Sequence, residues 1–325
     1  MTAFPSRVTI REEGPREGFQ IERTFIPTAR KIEFIDSLGE TGLKHIQIVS
    51  FVNPKRVPNM ADAEEVADGI TPRPGVAYTG LCLNEAGIKR ALACRKLTVT
   101  GDIALCASEA FLKRNQGRTL DEQAAAQRTD LAQYLSLKLP VEGVVVMAAF
   151  GCNFEGDVPV ARVLSLIDTA MDIAAEQGVR LKKVSLMDTM AWATPDRIKR
   201  AVGAVRERFP DFSVALHLHD TRGMGIANAY AGLEMGVAEF DACVGGLGGC
   251  PFAGHKGAAG NVCTEDLAFM CEEMGIETGL DVEKLIACAR LAEDIVGHPL
   301  PGALMSGGPL SVLRRRSQSG AKSGV

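Results

Sequence analysis

Three short stretches of this chain hold residues whose types and spacing suit catalysis. The first is Leu216-His217-Leu218-His219-Asp220. In an extended segment side chains alternate, so His217 and His219 fall on one face. Two imidazoles on one face can share a metal ion; two hydrogen-bonded core histidines would read the same way. The second stretch is Glu12-Glu13-Gly14-Pro15-Arg16-Glu17-Gly18. Gly and Pro force a tight exit from a strand, and Arg and Glu follow at once. A carboxylate there offers a hard oxygen ligand; a charged surface loop is the plain alternative. The third stretch begins at Gly245, where seven of the sixteen residues from 245 to 260 are Gly. Ordering such a loop costs much backbone entropy. A mobile lid would explain it, as would a loose connector. Cys250 sits inside it, although cysteine is normally a buried small hydrophobe. In a glycine loop it either reacts or packs beneath a closed lid.

The elements that must position these residues follow from patterning. Short apolar, β-branched runs fall at 7–12, 45–50, 76–81, 99–105, 143–150, 183–187, 214–219 and 239–244. Helical patterns lie between them. Ile32, Ile35 and Leu38 mark one face of a helix over 28–38. Thr119-Leu120-Asp121-Glu122 reads as a capping box opening a helix through Gln123 to Leu137. Thr194-Pro195-Asp196 offers an N-cap with Pro at the first helical position, and Gly178 and Gly236 stand where helices should end. Eight strands each followed by a helix predict a (β/α)8 TIM barrel with a C-terminal helical extension. A doubly wound open sheet is the competing α/β architecture, but no Gly-rich dinucleotide fingerprint or GxxxxGK[ST] is present. The barrel is expected over residues 1–245. Residues 246–325 then form a Gly-rich lid loop and a helical extension packed on it, one structural domain overall. The polar, basic end from Arg314 is expected to fray. In a barrel, residues at the C-terminal strand ends form the active site, and all three stretches fall there.

Composition narrows the function classes. The 325 residues are 46% hydrophobic and 23% charged, with a formal charge of −4. That is an ordinary globular balance. It argues against nucleic-acid partners, which need clustered Lys and Arg. No apolar run approaches the ~20 residues of a membrane helix. Nine cysteines, an odd number without a CxxC pair, read as reduced thiols in a cytoplasm.

With these stretches in hand, the sequence resembles the 3-hydroxy-3-methylglutaryl-CoA lyase family, metal-dependent lyases built on a TIM barrel. The likeness runs from about Val8 to about Gly279. It is carried by Glu13-Gly14-Pro15-Arg16-Glu17-Gly18, by Ser50-Phe51-Val52-Asn53-Pro54-Lys55 and by Gly151-Cys152-Asn153-Phe154-Glu155-Gly156. His217-Leu218-His219-Asp220-Thr221, Gly246-Leu247-Gly248-Gly249-Cys250-Pro251 and Gly260-Asn261 complete it. The resemblance implies a divalent metal, Mg²⁺ or Mn²⁺, with His217, His219, Glu17 and Asn261 as ligands. It implies that Arg16 steadies the thioester carbonyl as it becomes an enolate and that Cys250 takes part in proton transfer. Gln20, Arg23, Gln47 and Asp188 fall at or near substrate-binding positions, Arg23 toward the CoA phosphates. The implied reaction is retro-Claisen cleavage of a 3-hydroxy-3-methylglutaryl-CoA-like thioester to acetyl-CoA and a keto acid. The partner is an acyl-CoA, and a homodimer is expected.

Four positions depart from the family pattern. Its Asp after the Arg is Glu17 here. Its Glu in strand two is Gln47, which removes one negative charge from the site. Its usual Tyr is Phe154, and the loop from Cys250 to Asn261 is two residues longer, with His255 and Lys256 in the extension. These departures admit the same chemistry on another acyl group, such as (R)-citramalyl-CoA cleaved to pyruvate and acetyl-CoA. They also admit a catalytically silent acyl-CoA-binding paralogue. A condensing enzyme of the same superfamily, such as an isopropylmalate synthase, is disfavoured by the short C-terminal region and the Gly-Leu-Gly-Gly-Cys-Pro loop.

Overall fold

The computed structural model describes residues 4–249 and 260–320, with side chains described as far as residue 315. Cys250, His255 and Lys256 lie outside the described residues.

Eight parallel strands form one curled sheet. They are β1 (Thr9–Glu12), β2 (His45–Ser50), β3 (Ala77–Leu81), β4 (Gly101–Cys106), β5 (Val141–Met147), β6 (Lys183–Met187), β7 (Ser213–His217) and β8 (Glu239–Ala242). Their order is β3-β2-β1-β8-β7-β6-β5-β4. That is a ring opened between β3 and β4, where the Thr98 N–H donates to the Tyr78 carbonyl at 2.7 Å. The expected TIM barrel is therefore present. Its strands are almost wholly apolar where buried, as at Val144 and Val146 in β5 and Val184 and Leu186 in β6. Parallel strands covered on both faces require this.

Helices alternate with the strands. They are α1 (Thr28–Leu38), α2 (Ala63–Gly69), α3 (Glu85–Ala93), α4 (Glu109–Gln116), α5 (Leu120–Ser136), α6 (Val160–Ala175), α7 (Pro195–Arg208), α8 (Gly225–Glu234) and α9 (Thr264–Glu273). After them come α10 (Val282–Val296), α11 (Ala303–Gly307) and α12 (Leu310–Gly320). The capping box at Thr119 and Glu122 forms as the sequence predicts. Thr194 stands at the N-cap of α7, with Pro195 next, but its side chain makes no capping bond. On α1 the buried face is Lys31, Phe34, Ile35 and Leu38. Lys31 is admitted because its ammonium meets the Asn59 carbonyl at 2.5 Å and Asp62 at 2.6 Å. A buried charge persists only when paired in this way.

Two expectations need correction. The fifth strand ends at Met147 rather than continuing to Phe150, because Ala148 turns the chain at φ 53°. The basic C-terminal stretch is not a frayed tail through Gly320. Arg314 pairs with Glu273 at 2.7 Å and Arg315 with Glu283 at 2.5 Å, which seats α12 beside α9 and α10.

The extension also reaches the barrel mouth. The Gly245 N–H donates to both oxygens of Glu265 at 3.0 Å. Glu12, at the end of β1, accepts from the Gly14 N–H, the Val244 N–H and the Thr264 hydroxyl. A single buried carboxylate thus ties β1, the exit of β8 and the start of α9 together at the end of the barrel that holds the three stretches. Among the described residues no helix is long and apolar enough to cross a membrane.

Candidate active site

The chain leaves β1 through a wide turn, Gly14–Gly18, with the Phe19 N–H reaching back to the Gly14 carbonyl. That i→i+5 closure carries Arg16 and Glu17 inward over the barrel mouth. Gly18 is needed there, because a Cβ on it would lie 2.8 Å from the Leu247 Cβ. His217 is the last residue of β7, and the chain beyond it stays extended. His219 bridges Asn261, the Asp220 N–H donates to the Gly260 carbonyl at 2.7 Å, and the Val262 N–H to the Leu218 carbonyl at 3.0 Å. The Gly-rich segment is thereby pinned at both described ends, since the Gly260 N–H also donates to the Gly246 carbonyl at 3.3 Å.

These elements bring Glu17, His217, His219 and Asn261 together. The ligand atoms of Glu17 and the two histidines lie within 4.8 Å of one another. Glu17 Oε1 is 3.3 Å from His219 Nε2 and 3.6 Å from His217 Nε2. His219 Nδ1 is 2.8 Å from the Asp188 carbonyl oxygen. A carbonyl only accepts, so Nδ1 carries the proton and Nε2 keeps its lone pair. His217 Nδ1 makes the equivalent contact with Asp241 Oδ2 at 3.3 Å. Both imidazole lone pairs therefore face a carboxylate oxygen. His219 Nε2 is buried without a hydrogen bond, and so is Asn261 Oδ1. The Asn261 amide NH₂ is spent on Glu17 Oε1 at 3.0 Å and on the Leu247 carbonyl at 3.1 Å. Among the described residues only one donor, the Asn261 amide, reaches this group, so His219 Nε2 lacks a partner that a cation would supply. Two imidazole nitrogens and a carboxylate oxygen, with Asn261 Oδ1 on the adjoining side chain, are a donor set that a divalent ion fits.

Charge tells the same story. Burial alone pushes the Glu17 carboxyl up, but His217 and Arg16 outweigh it and hold it well below the usual carboxylate range. Burial pushes His217 down, yet Glu17 and Asp241 lift it well above the ordinary imidazole value. The carboxylates around the imidazoles thus favour an added positive charge at this point, be it a proton or a divalent ion.

The remaining predicted residues divide. Arg16 and Gln47 meet, the Arg16 Nε donating to Gln47 Oε1. Asp188 is buried, but its Oδ1 accepts from the Trp192 and Ala193 N–H groups at 2.6 and 2.9 Å. Its carboxylate thus braces its own loop while its backbone carbonyl orients His219. Gln20 is half-buried with Oε1 unpartnered. Arg23 is exposed. Phe154 lies outside this cluster, its ring under the Arg114 guanidinium at 4.2 Å.

Two residues that sequence reasoning missed belong to the site. Asp241 pairs in register with His217 across β7 and β8. A parallel-neighbour argument applied to the last two strands would have found it. Glu13 ion-pairs with Arg16, and its only sequence signal was adjacency to the Gly14-Pro15-Arg16 turn.

The chain is similar to known proteins over most of its length. Residues 7–292 match the HMGL-like family. A hydroxymethylglutaryl-CoA lyase of Bacillus subtilis is 38% identical over 306 residues, covering 92% of this chain and 96% of that protein. A mitochondrial hydroxymethylglutaryl-CoA lyase of Gallus gallus is 39% identical over 286 residues, covering 87% of this chain and 92% of that one. Among solved structures, an HMG-CoA lyase of Acinetobacter baumannii in complex with coenzyme A and 3-methylmalate superposes with a TM-score of 0.83 at 38% identity. The match covers 95% of this chain and 97% of that one.

Proposed function

The chain belongs to the HMGL-like family, and we propose that it is a metal-dependent acyl-CoA lyase. It cleaves 3-hydroxy-3-methylglutaryl-CoA to acetyl-CoA and a keto acid. The observation that carries this reading is the convergence of His217 Nε2, His219 Nε2 and a Glu17 carboxylate oxygen at one buried point, with the Asn261 side chain beside it. Its context is near-full-length similarity to lyases of that name. The coenzyme A bound by the Acinetobacter relative supports a thioester substrate for this chain.

The four ligands would hold Mg²⁺ or Mn²⁺, which when bound supplies the Lewis acidity that a weakly acidic tertiary alcohol needs. Arg16 donates through Nε to Gln47 and through Nη2 to Glu13, and its Nη1 ion-pairs with Glu17 at 3.1 Å. Its remaining N–H groups are available to the thioester oxygen, where a fixed guanidinium stabilises the negative charge that develops as the C2–C3 bond breaks. Asp241 and the Asp188 carbonyl hold the two imidazoles in the ligating tautomer. Cys250, which the family resemblance matches to a cysteine of proton transfer, returns a proton to carbon. Gln20 and Arg23 extend the site toward the rest of the acyl-CoA. A cytoplasmic location fits the eight described cysteines, all of which are free.

Acetyl-CoA release with added Mg²⁺ or Mn²⁺ tests the reading, using 3-hydroxy-3-methylglutaryl-CoA and both stereoisomers of citramalyl-CoA. Cleavage of the first, abolished by a chelator and restored by Mn²⁺, is expected. Turnover of a citramalyl-CoA alone would reassign the acyl group. Silence on all three would remove the lyase reading.

A further inference from the structure

Arg16 is held at all three of its nitrogens. Nε donates to Gln47 Oε1, Nη2 donates to Glu13 Oε2, and Nη1 lies 3.1 Å from Glu17 Oε2. The side chains of Arg16, Glu13 and Glu17 keep only 12%, 6% and 13% of their exposure. A guanidinium does not give up its proton on burial, so its charge must be neutralised on the spot. Gln47 contributes a hydrogen bond and no charge. Glu17 is divided, because its other oxygen faces His217, His219 and Asn261. Glu13 is not divided: among the described residues its carboxylate hydrogen-bonds Arg16 alone.

We propose that Glu13 is the positioning residue for Arg16, supplying the carboxylate charge that Gln47 lacks and fixing the plane of the guanidinium. The inference rests on the lyase reading and deepens it. The backbone makes the clamp stiff. The Glu13 N–H donates to the Ala242 carbonyl at 2.9 Å, which fastens the exit of β1 to β8. Its carbonyl accepts from the Arg16 and Glu17 N–H groups at 3.1 and 2.8 Å. Glu13 therefore grips the guanidinium from the end of β1, while Gln47 grips it from β2. A carboxyl thus stands beside the same arginine for which position 47 offers only an amide; burial pushes the Glu13 carboxyl up, and the Arg16 guanidinium opposes that push.

The test uses the Mn²⁺-loaded enzyme and the variants Glu13→Gln, Gln47→Glu and their combination. Glu13→Gln keeps shape and an acceptor but removes the charge. A misplaced catalytic group loses roughly 10²-fold, so kcat should fall about 10–100-fold with KM nearly unchanged. The double variant, which moves the carboxylate to β2, should recover most of that loss. Wild-type kcat in Glu13→Gln, or a double variant no better than Glu13→Gln, would overturn the proposal. Should Glu13→Gln fail to fold, Glu13→Asp keeps the charge one methylene short; reduced kcat at unchanged KM is expected, and wild-type kcat would count against the clamp. A second readout needs no turnover. With ¹⁵N-labelled arginine, the Arg16 Nε–Hε resonance, assigned through its loss in Arg16→Lys, should exchange faster with solvent in Glu13→Gln. An unchanged resonance refutes the clamp even if wild-type protein cleaves none of the thioesters, the outcome that would defeat the lyase reading instead.

Discussion

At the residue scale, each candidate ligand depends on a partner behind it. His217 is oriented by Asp241, whose second oxygen is 3.6 Å from Arg11. Burial pushes the Asp241 carboxyl up, but Arg11 and His217 overcome it and hold it down. Asp241 thus stays an anion able to fix the ring with Nδ1 protonated. Replacing it by Asn leaves an acceptor that can also flip and offer a donor. Removing such outer partners weakens metal binding about 10–100-fold. Asp241→Asn should show that loss in Mn²⁺ titrations followed by electron paramagnetic resonance, with thermal stability largely kept. Unchanged affinity would mean that Asp241 serves Arg11 alone. Asn261 came from the family resemblance alone, whereas His217, His219 and Glu17 were legible from sequence, because HxH and a carboxylate after a strand-ending Gly-Pro-Arg are local patterns. Asp241 and Glu13 were not, because each owes its role to a neighbour reached only through strand register or a turn.

At the element scale, the strand–helix alternation could be read because buried parallel strands and amphipathic helices leave different periods. Strand ends could not, since a backbone turn such as Ala148 leaves no mark in an apolar run. The order of the C-terminal stretch was hidden for another reason. Arg314 and Arg315 look like a solvated tail until Glu273 and Glu283 are brought beside them. The Gly-rich segment is a further case, since its glycines read as freedom but Gly248 serves close approach. It sits at φ 85°, and a Cβ there would lie 2.8 Å from Asn261 Nδ2 and 3.2 Å from Glu17 Cγ. Gly248→Ala therefore meets both left-handed strain, about 1–2 kcal/mol, and a collision with two ligand candidates. Mn²⁺ affinity should fall while far-ultraviolet circular dichroism stays unchanged. A variant that binds Mn²⁺ like wild type would show that the turn relaxes without moving Asn261.

At the scale of the whole molecule, the barrel mouth is closed by buried carboxylates, and this sets a pH dependence of stability. Burial raises Glu265 from 4.5 to about 8, against the opposing hydrogen bond from the Gly245 N–H. It likewise raises Glu12 from 4.5 to about 7 and, at the other end of the barrel, Asp102 from 3.8 to about 7. A raised carboxyl keeps a proton in the folded state that the unfolded chain has released. The folded state then binds more protons between the two pKa values, so stability falls as pH rises through that window. The contribution is fully present below 4.5 and lost by about 8 for Glu265. The surface carboxylates held low by arginines, Glu64, Glu176, Glu273 and Glu277, act with opposite sign. Their window lies below 4.5, so they do not mask the effect. Each coupled group contributes a slope of at most ~1.4 kcal/mol per pH unit. Glu265→Gln cannot ionise, and its amide oxygen can still accept from Gly245. In metal-free protein, the thermal midpoint of wild type should drop between about pH 5 and about pH 8, and that of Glu265→Gln should drop less. Parallel curves would show that Glu265 is already ionised in the folded protein, leaving the link between α9 and the exit of β8 as a charged hydrogen bond.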